Sequence, residues 1–185
     1  MSKHDAVRRL LDARLLLLLD GDQGTEEAAR DAMAAGVGAV EVPANEGVAA
    51  VVQAGLDLVV VAGTVTTAVQ AWDAVETGTH AVSAVPLDAE IAAVCEAADV
   101  AIIAVVADTA QMATALMLRP DFLRVPAELA AAVATDTPVI VDVPASGEPS
   151  SGAVLAVSAR SLDARSPEEL RLRLLALVGP ATSLP

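Results

Sequence analysis

Glu41 interrupts the run Val37–Val42, whose other members are valine, glycine and alanine. A carboxylate buried in such a run costs several kcal/mol unless it is paired or hydrogen-bonded. Two readings follow: a general acid/base whose pKa is raised by burial, or one half of a structural ion pair. Arg124, in Asp121-Phe122-Leu123-Arg124-Val125-Pro126, offers a planar guanidinium suited to gripping a carboxylate, a phosphate or a developing oxyanion. It would equally serve to neutralise Glu41 or Asp142. Asp142 breaks Val139–Val143 as Glu41 breaks its own run, and a site role or an ion pair is open to it too. Asp20 and Asp22 supply oxygens that, with Glu41 or Asp142, could recruit a divalent cation. No spaced ligand motif supports a metal, however: there is no HxH or HExxH, His4 lies near the terminus and His80 falls at the start of an apolar run. No metal is expected.

These residues recur at the ends of short apolar runs, which suggests the elements that must position them. The runs Leu15–Leu19, Ala39–Val42, Leu58–Val61, Ala81–Ala84, Ala101–Val106, Phe122–Arg124, Val139–Val143 and Ala153–Val157 read as strands buried on both faces, as in a parallel sheet. Between them fall Ala-rich helical stretches at Thr25–Ala35, Glu46–Ala54, Thr67–Thr77, Asp88–Ala97, Thr109–Leu118, Pro126–Ala134 and Pro167–Val178. Thr25 and Ser166 are placed to cap the helices that follow them. The segment Asp5–Ala13 carries apolar residues at helical spacing and could plug one end of a barrel. Pro144–Gly152, rich in Pro, Ser and Gly, reads as a loop. Eight βα units in succession predict a closed (β/α)8 TIM barrel in a single domain over 1–185, with 1–14 a leading helix, 15–178 the barrel and 179–185 a tail. In such a barrel the site lies at the C-terminal ends of the strands, where Asp20, Asp22, Glu41, Thr64, Ser83, Asp108, Arg124, Asp142, Ser158 and Arg160 fall.

Composition narrows the function. A net charge of -14 repels phosphate backbones and anionic lipid heads, so neither nucleic acid nor a membrane surface is an expected partner. The run Leu15–Leu19 is too short to span a bilayer. Cys95 is the single cysteine; no intrachain disulfide is possible, a reducing, cytoplasmic setting follows, and a buried structural thiol is the simpler reading of it. No GxGxxG follows the first strand, where Asp20-Gly21-Asp22-Gln23-Gly24 sets two acids in the place of a pyrophosphate. No cofactor is expected.

Several stretches resemble the keto-deoxy-phosphogluconate and keto-hydroxyglutarate aldolases, class I enzymes on a trimeric (β/α)8 barrel. Val37-Gly38-Ala39-Val40-Glu41-Val42 is similar to the family's second strand, whose glutamate is the catalytic acid/base. Ala62-Gly63-Thr64-Val65-Thr66 resembles the third-strand turn, in which the threonine helps bind the keto acid. Gln70 to Ser83, then Pro86-Leu87-Asp88, Glu90 and Ile91, follow the third helix and fourth strand. Leu123-Arg124-Val125-Pro126-Ala127-Glu128 is similar to the sixth strand, where the family has its Schiff-base lysine and Arg124 stands here. Arginine stays protonated and does not form an imine with a ketone, and the one lysine of the chain is Lys3. The family's arginines after the first and second strands are replaced within Asp20-Gly21-Asp22 and Pro43-Ala44-Asn45, and its glycine-rich phosphate cradle by Pro144-Ala145-Ser146-Gly147.

The resemblance and the residues together predict a lyase-type or related enzyme acting without a Schiff base on a small oxo acid or carboxylate. Glu41 would be the acid/base, Arg124 the anion or oxyanion binder, and Thr64, Ser83, Asp20, Asp142 and Ser158 the substrate-binding set. A homotrimer is what the resemblance implies. The alternative is a non-catalytic, homo-oligomeric scaffold or binding module on the same fold.

Overall fold

In the computed structural model, which describes residues 1–19, 24–44, 46–143, 154–164 and 166–178, all eight expected strands form: β1 (Leu15–Leu18), β2 (Ala39–Pro43), β3 (Val59–Val65), β4 (Ala81–Ala84), β5 (Ala101–Val105), β6 (Phe122–Pro126), β7 (Val139–Asp142) and β8 (Val154–Ser158). Every neighbouring pair is parallel, in chain order. The sheet closes where β8 returns to β1, through register pairs from Leu15↔Leu155 to Leu18↔Ser158. Closure leaves no strand edge, and it explains why the strands read as continuous apolar runs: one face packs on helices, the other on the barrel interior.

The pleat divides each run between two apolar layers. Leu15, Leu17, Val40, Val42, Val60, Ala62, Ile102, Leu123, Val141 and Leu155 belong to the outer layer, against the helices. Leu16, Ala39, Val59, Val61, Ala81, Ala101, Ile103, Phe122, Ile140, Val154 and Ala156 fill the interior. Phe122, the only phenylalanine, is fully buried in this interior cluster, which includes Ala39, Ala81, Ala101 and Ala156; small members leave volume for the one large ring.

The surrounding helices are α1 (Lys3–Ala13), α2 (Thr25–Ala34), α3 (Glu46–Gln53), α4 (Ala68–Thr77), α5 (Ala89–Ala97), α6 (Thr109–Met117), the one-turn α7 (Ala127–Ala130) and α8 (Ala159–Leu162), and α9 (Pro167–Val178). α1 is the plug its periodicity predicted. Ser2 caps it by accepting from the Asp5 backbone N–H, and it inserts fully buried Ala6 and Leu10 into the interior cluster at the N-terminal end of the strands. That end of the barrel is thereby sealed, and the C-terminal end is left to carry a site.

Two local expectations need correction. Thr25 is not a cap but the first helical residue of α2; the cap position is Gly24, at φ 101, a left-handed backbone conformation that glycine adopts without strain. The helix expected over 126–134 is only the single turn of α7. Beyond it the chain turns, and Thr135 Oγ1 accepts the Thr137 N–H, a local side-chain alternative to the helical ladder. The single-turn α8 after β8 was not foreseen. Ser166 does cap α9, accepting the Glu169 N–H at 3.1 Å. The expected loop 144–152, the tail 179–185 and the acids Asp20 and Asp22 lie outside the described residues.

Candidate functional site

Alternation along a strand decides which residues of the mouth face inward. Ala39, Ala81, Phe122 and Ile140 point into the barrel; two residues further along each strand, toward the C-terminal end, stand Glu41, Ser83, Arg124 and Asp142. A period of two places these four polar residues, from β2, β4, β6 and β7, on the same inner face as the apolar layer below them.

Arg124 joins the group together. Its Nη1 donates to both carboxylate oxygens of Glu41, at 2.9 and 3.0 Å, and its Nε donates to Asp142 Oδ1 at 2.7 Å. The guanidinium and the Glu41 carboxylate are almost fully enclosed, with 12% and 9% of their side chains exposed, whereas Asp142 is 37% exposed. Of the readings left open for Arg124, the structure shows the ion pairing, and with both acids at once. Room for Glu41 comes from β3: a Cβ built on Gly63 would stand 2.6 Å from Glu41 Cδ, so only glycine lets the carboxyl lie across this strand. Gly63 was not singled out from the sequence; the signal was its place next to Thr64 at the end of an apolar run.

Burial pushes the Glu41 pKa above the ordinary carboxyl range; attraction to Arg124 opposes the shift, and the nearby Asp142 charge adds to it. Burial works against the Arg124 cation, but Glu41 and Asp142 outweigh it and hold the guanidinium pKa above its usual value. Ser83 sits beside Glu41, near enough to favour its charged form slightly. Yet Ser83 Oγ, buried in a residue only 1% exposed, makes no hydrogen bond of good geometry to any described residue. A buried hydroxyl without a partner is costly, and here it lies at the mouth of a barrel.

Of the other predicted site residues, Thr64 is exposed near the end of β3. Ser158 is half-buried at the end of β8, and its carbonyl accepts from Ser161 Oγ. Asp108 is engaged as the cap of α6, accepting from Gln111 N–H at 2.8 Å. His80 lies at the opposite end, its Nδ1 accepting the Val60 N–H. Among the described residues no group of three or more His, Cys, Asp or Glu is arranged to hold a metal ion, and no helix is long and apolar enough to cross a membrane.

No protein-family model matches the chain, and no curated protein matches its sequence. Solved structures do match. A 4-hydroxy-2-oxoglutarate/2-dehydro-3-deoxyphosphogluconate aldolase superposes with a TM-score of 0.74 at 24% identity, over 94% of this chain and 96% of that one. The 2-keto-3-deoxy-6-phosphogluconate aldolase of Zymomonas mobilis gives 0.71 at 22%, over 93% of each chain. The Legionella pneumophila enzyme, with pyruvate captured as a covalent carbinolamine, gives 0.71 at 13%, over 93% and 97%. The expected likeness to keto-deoxy-phosphogluconate and keto-hydroxyglutarate aldolases therefore holds for the fold, a closed eight-stranded parallel barrel with a leading helix.

Proposed function

We propose that this barrel is a lyase-type enzyme, or one catalysing a related isomerisation or cyclisation, that acts on a small oxo or carboxylate compound without forming an imine. The observation that carries the reading is the enclosed Glu41 carboxyl held against Arg124 at the barrel mouth. A carboxyl with a raised pKa exchanges protons closer to neutrality than an ordinary one. In the proposed step, ionised Glu41 takes a proton from the carbon next to the substrate carbonyl, and negative charge develops on the carbonyl oxygen. Arg124 stabilises that oxygen, and Glu41 returns the proton to the product. Thr64, Ser83, Asp20, Asp142 and Ser158 complete the proposed substrate-binding set.

A carbinolamine such as the Legionella enzyme forms requires an amine nitrogen at the site. Arg124 provides none, because a guanidinium stays protonated. Lys3 belongs to α1 and is ion-paired with Asp121, which precedes β6, at 3.0 Å. It therefore sits at the sealed end, away from Glu41. Borohydride in the presence of pyruvate should accordingly leave the mouth unmodified.

The test is solvent deuterium exchange into small ketones and keto acids, followed by proton NMR. Exchange at the carbon next to the carbonyl is expected with the wild type and should fall by about 10²–10⁴-fold in Glu41→Gln. The non-catalytic scaffold is the second reading, favoured by the way Glu41 and Asp142 both engage Arg124. Exchange with no compound, together with a Glu41→Gln variant as stable as the wild type, would favour it. The proposal extends to a homotrimer, implied by the resemblance, in the reducing, cytoplasmic setting that the single cysteine suggests. Val69 and Trp72, exposed on α4, are consistent with an assembly, and sedimentation equilibrium should return three 18.6-kDa chains.

A further inference from the structure

The two ends of the barrel axis differ in their cations, although acids stand at both: Asp121, Asp5 and Asp57 pair with Lys3, Arg8 and Arg9 at the sealed end. Lys3, Arg8 and Arg9 lie on α1, Arg14 is its C-cap, and Arg119 precedes β6; all five belong to the sealed N-terminal end. Among the described residues that end or directly follow the strands at the other end, the cations are Arg124 and Arg160, against the acids Glu41, Asp88, Asp108 and Asp142.

Two further features bear on what such a mouth can hold. Helix N-termini facing a barrel mouth are ready anion sites, but those of α5 and α6 are already taken: Asp88 accepts from Ile91 N–H and Asp108 from Gln111 N–H, each at 2.8 Å. Arg124, the cation that the described residues place on the inner face of the mouth, gives Nη1 to Glu41 and Nε to Asp142. Its Nη2 has no partner among the described residues. The free Nη2 carries two diverging N–H groups, which can donate to an oxygen but cannot clamp a carboxylate with two parallel bonds, and the guanidinium charge already faces two acids. Ser83 Oγ, enclosed beside the same Glu41 carboxylate and without a hydrogen bond of good geometry to any described residue, can donate to an uncharged carbonyl oxygen.

We infer that the mouth takes a small oxo compound of zero or positive net charge, bearing no phosphate and no carboxylate, whose oxygen is received by the Ser83 hydroxyl and the free edge of Arg124. This rests on the reading of the mouth as a catalytic site and narrows its substrate class. Arg124 then acts on the reacting oxygen and does not anchor a remote anionic group.

A matched series of three-carbon ketones separates charge from shape: dihydroxyacetone (neutral), aminoacetone (cationic), pyruvate (singly anionic) and dihydroxyacetone phosphate (anionic). Binding to the full chain would be followed by chemical-shift titration at low ionic strength, with the assembly state held constant. Dihydroxyacetone and aminoacetone should bind at least about tenfold more tightly than the two anions, given the strength of unlike and like charges at short range. Asp142→Asn should narrow that gap, because it removes one negative charge. Ser83→Ala should weaken the neutral ketone while leaving thermal stability close to that of the wild type, since the hydroxyl makes no hydrogen bond of good geometry to any described residue. Tighter binding of pyruvate or the phosphate overturns the inference while leaving a catalytic mouth intact. If no ketone binds and deuterium exchange is also absent, both readings fall.

Discussion

Arg124→Leu should convert the barrel mouth into a pH-dependent weak point, and the structure indicates by how much. The substitution removes three charge-assisted hydrogen bonds, two to Glu41 and one to Asp142. The Glu41 arm carries most of the effect, because both partners are enclosed, whereas the Asp142 arm is screened by its exposure. Leaving a buried carboxylate without its cation costs about 3–5 kcal/mol. At about 2–4 °C per kcal/mol for a chain of this size, the melting temperature at pH 8 should fall by roughly 6–20 °C. At pH 5 the loss should be smaller. Glu41 is a carboxyl whose folded pKa lies above its ordinary 4.5, so above that pH the folded state binds more protons than the unfolded one. Stability then declines as pH rises toward the folded pKa. Removing Arg124 takes away the attraction that opposed this shift, which raises the pKa further. In the variant Glu41 therefore holds its proton to higher pH than in the wild type, and wherever it is neutral only hydrogen bonds are lost, about 1–2 kcal/mol. Urea unfolding of wild type and variant at pH 5 and pH 8 measures the gap, and a Glu41→Gln/Arg124→Leu double variant should lose most of the pH dependence. A penalty equal at both pH values, or none at pH 8, would refute the reasoning.

Three further outcomes follow from the same structure. Leu10→Ala, which empties the apolar plug beneath the barrel, should cost about 2–5 kcal/mol in urea unfolding while leaving the distant mouth able to bind ligand. His80 has its pKa lowered below 6.5 by burial, with the positive N-terminus and Arg9 adding to the shift, and its Nδ1 must stay unprotonated to accept the Val60 N–H. The unfolded state takes the proton first, so this contribution to stability is complete above pH 6.5 and lost as pH falls through the folded pKa. The slope of stability against pH between 6.5 and 5 should be shallower in His80→Gln. Cys95, fully buried, has a thiol pKa pushed up to about 11 by burial. Maleimide should not label it at pH 7.5 in the native protein and should label it completely in guanidinium.

Much of the fold was legible from the residues. Continuous Val/Leu/Ala runs are what strands need when both faces are buried, so the eight strands could be read one after another, and the helical spacing of Asp5–Ala13 marked the plug. What failed was local. The helix expected over 126–134 ends after α7, where Thr135 offers the backbone another partner, and the α2 cap shifted by one residue, because a cap is fixed by a single backbone angle that periodicity does not record.

The polar residues Glu41, Arg124 and Asp142 announced themselves by interrupting apolar runs, since a charge in such a run must have a partner. Which partner each takes is a matter of barrel closure. Glu41 and Arg124 stand 83 positions apart in the chain; they meet only because β2 and β6 belong to one closed sheet whose pleat turns both inward at the same end. The same closure sets Gly63 beneath the Glu41 carboxyl, leaves Ser83 Oγ enclosed without a partner among the described residues, and keeps the cations of α1 at the end opposite Glu41 and Asp142. Residue types and spacing determined the elements and the groups that cannot be buried alone. The three-dimensional juxtaposition of strands distant in sequence decided which charges neutralise one another and which polar atoms are left to receive a ligand.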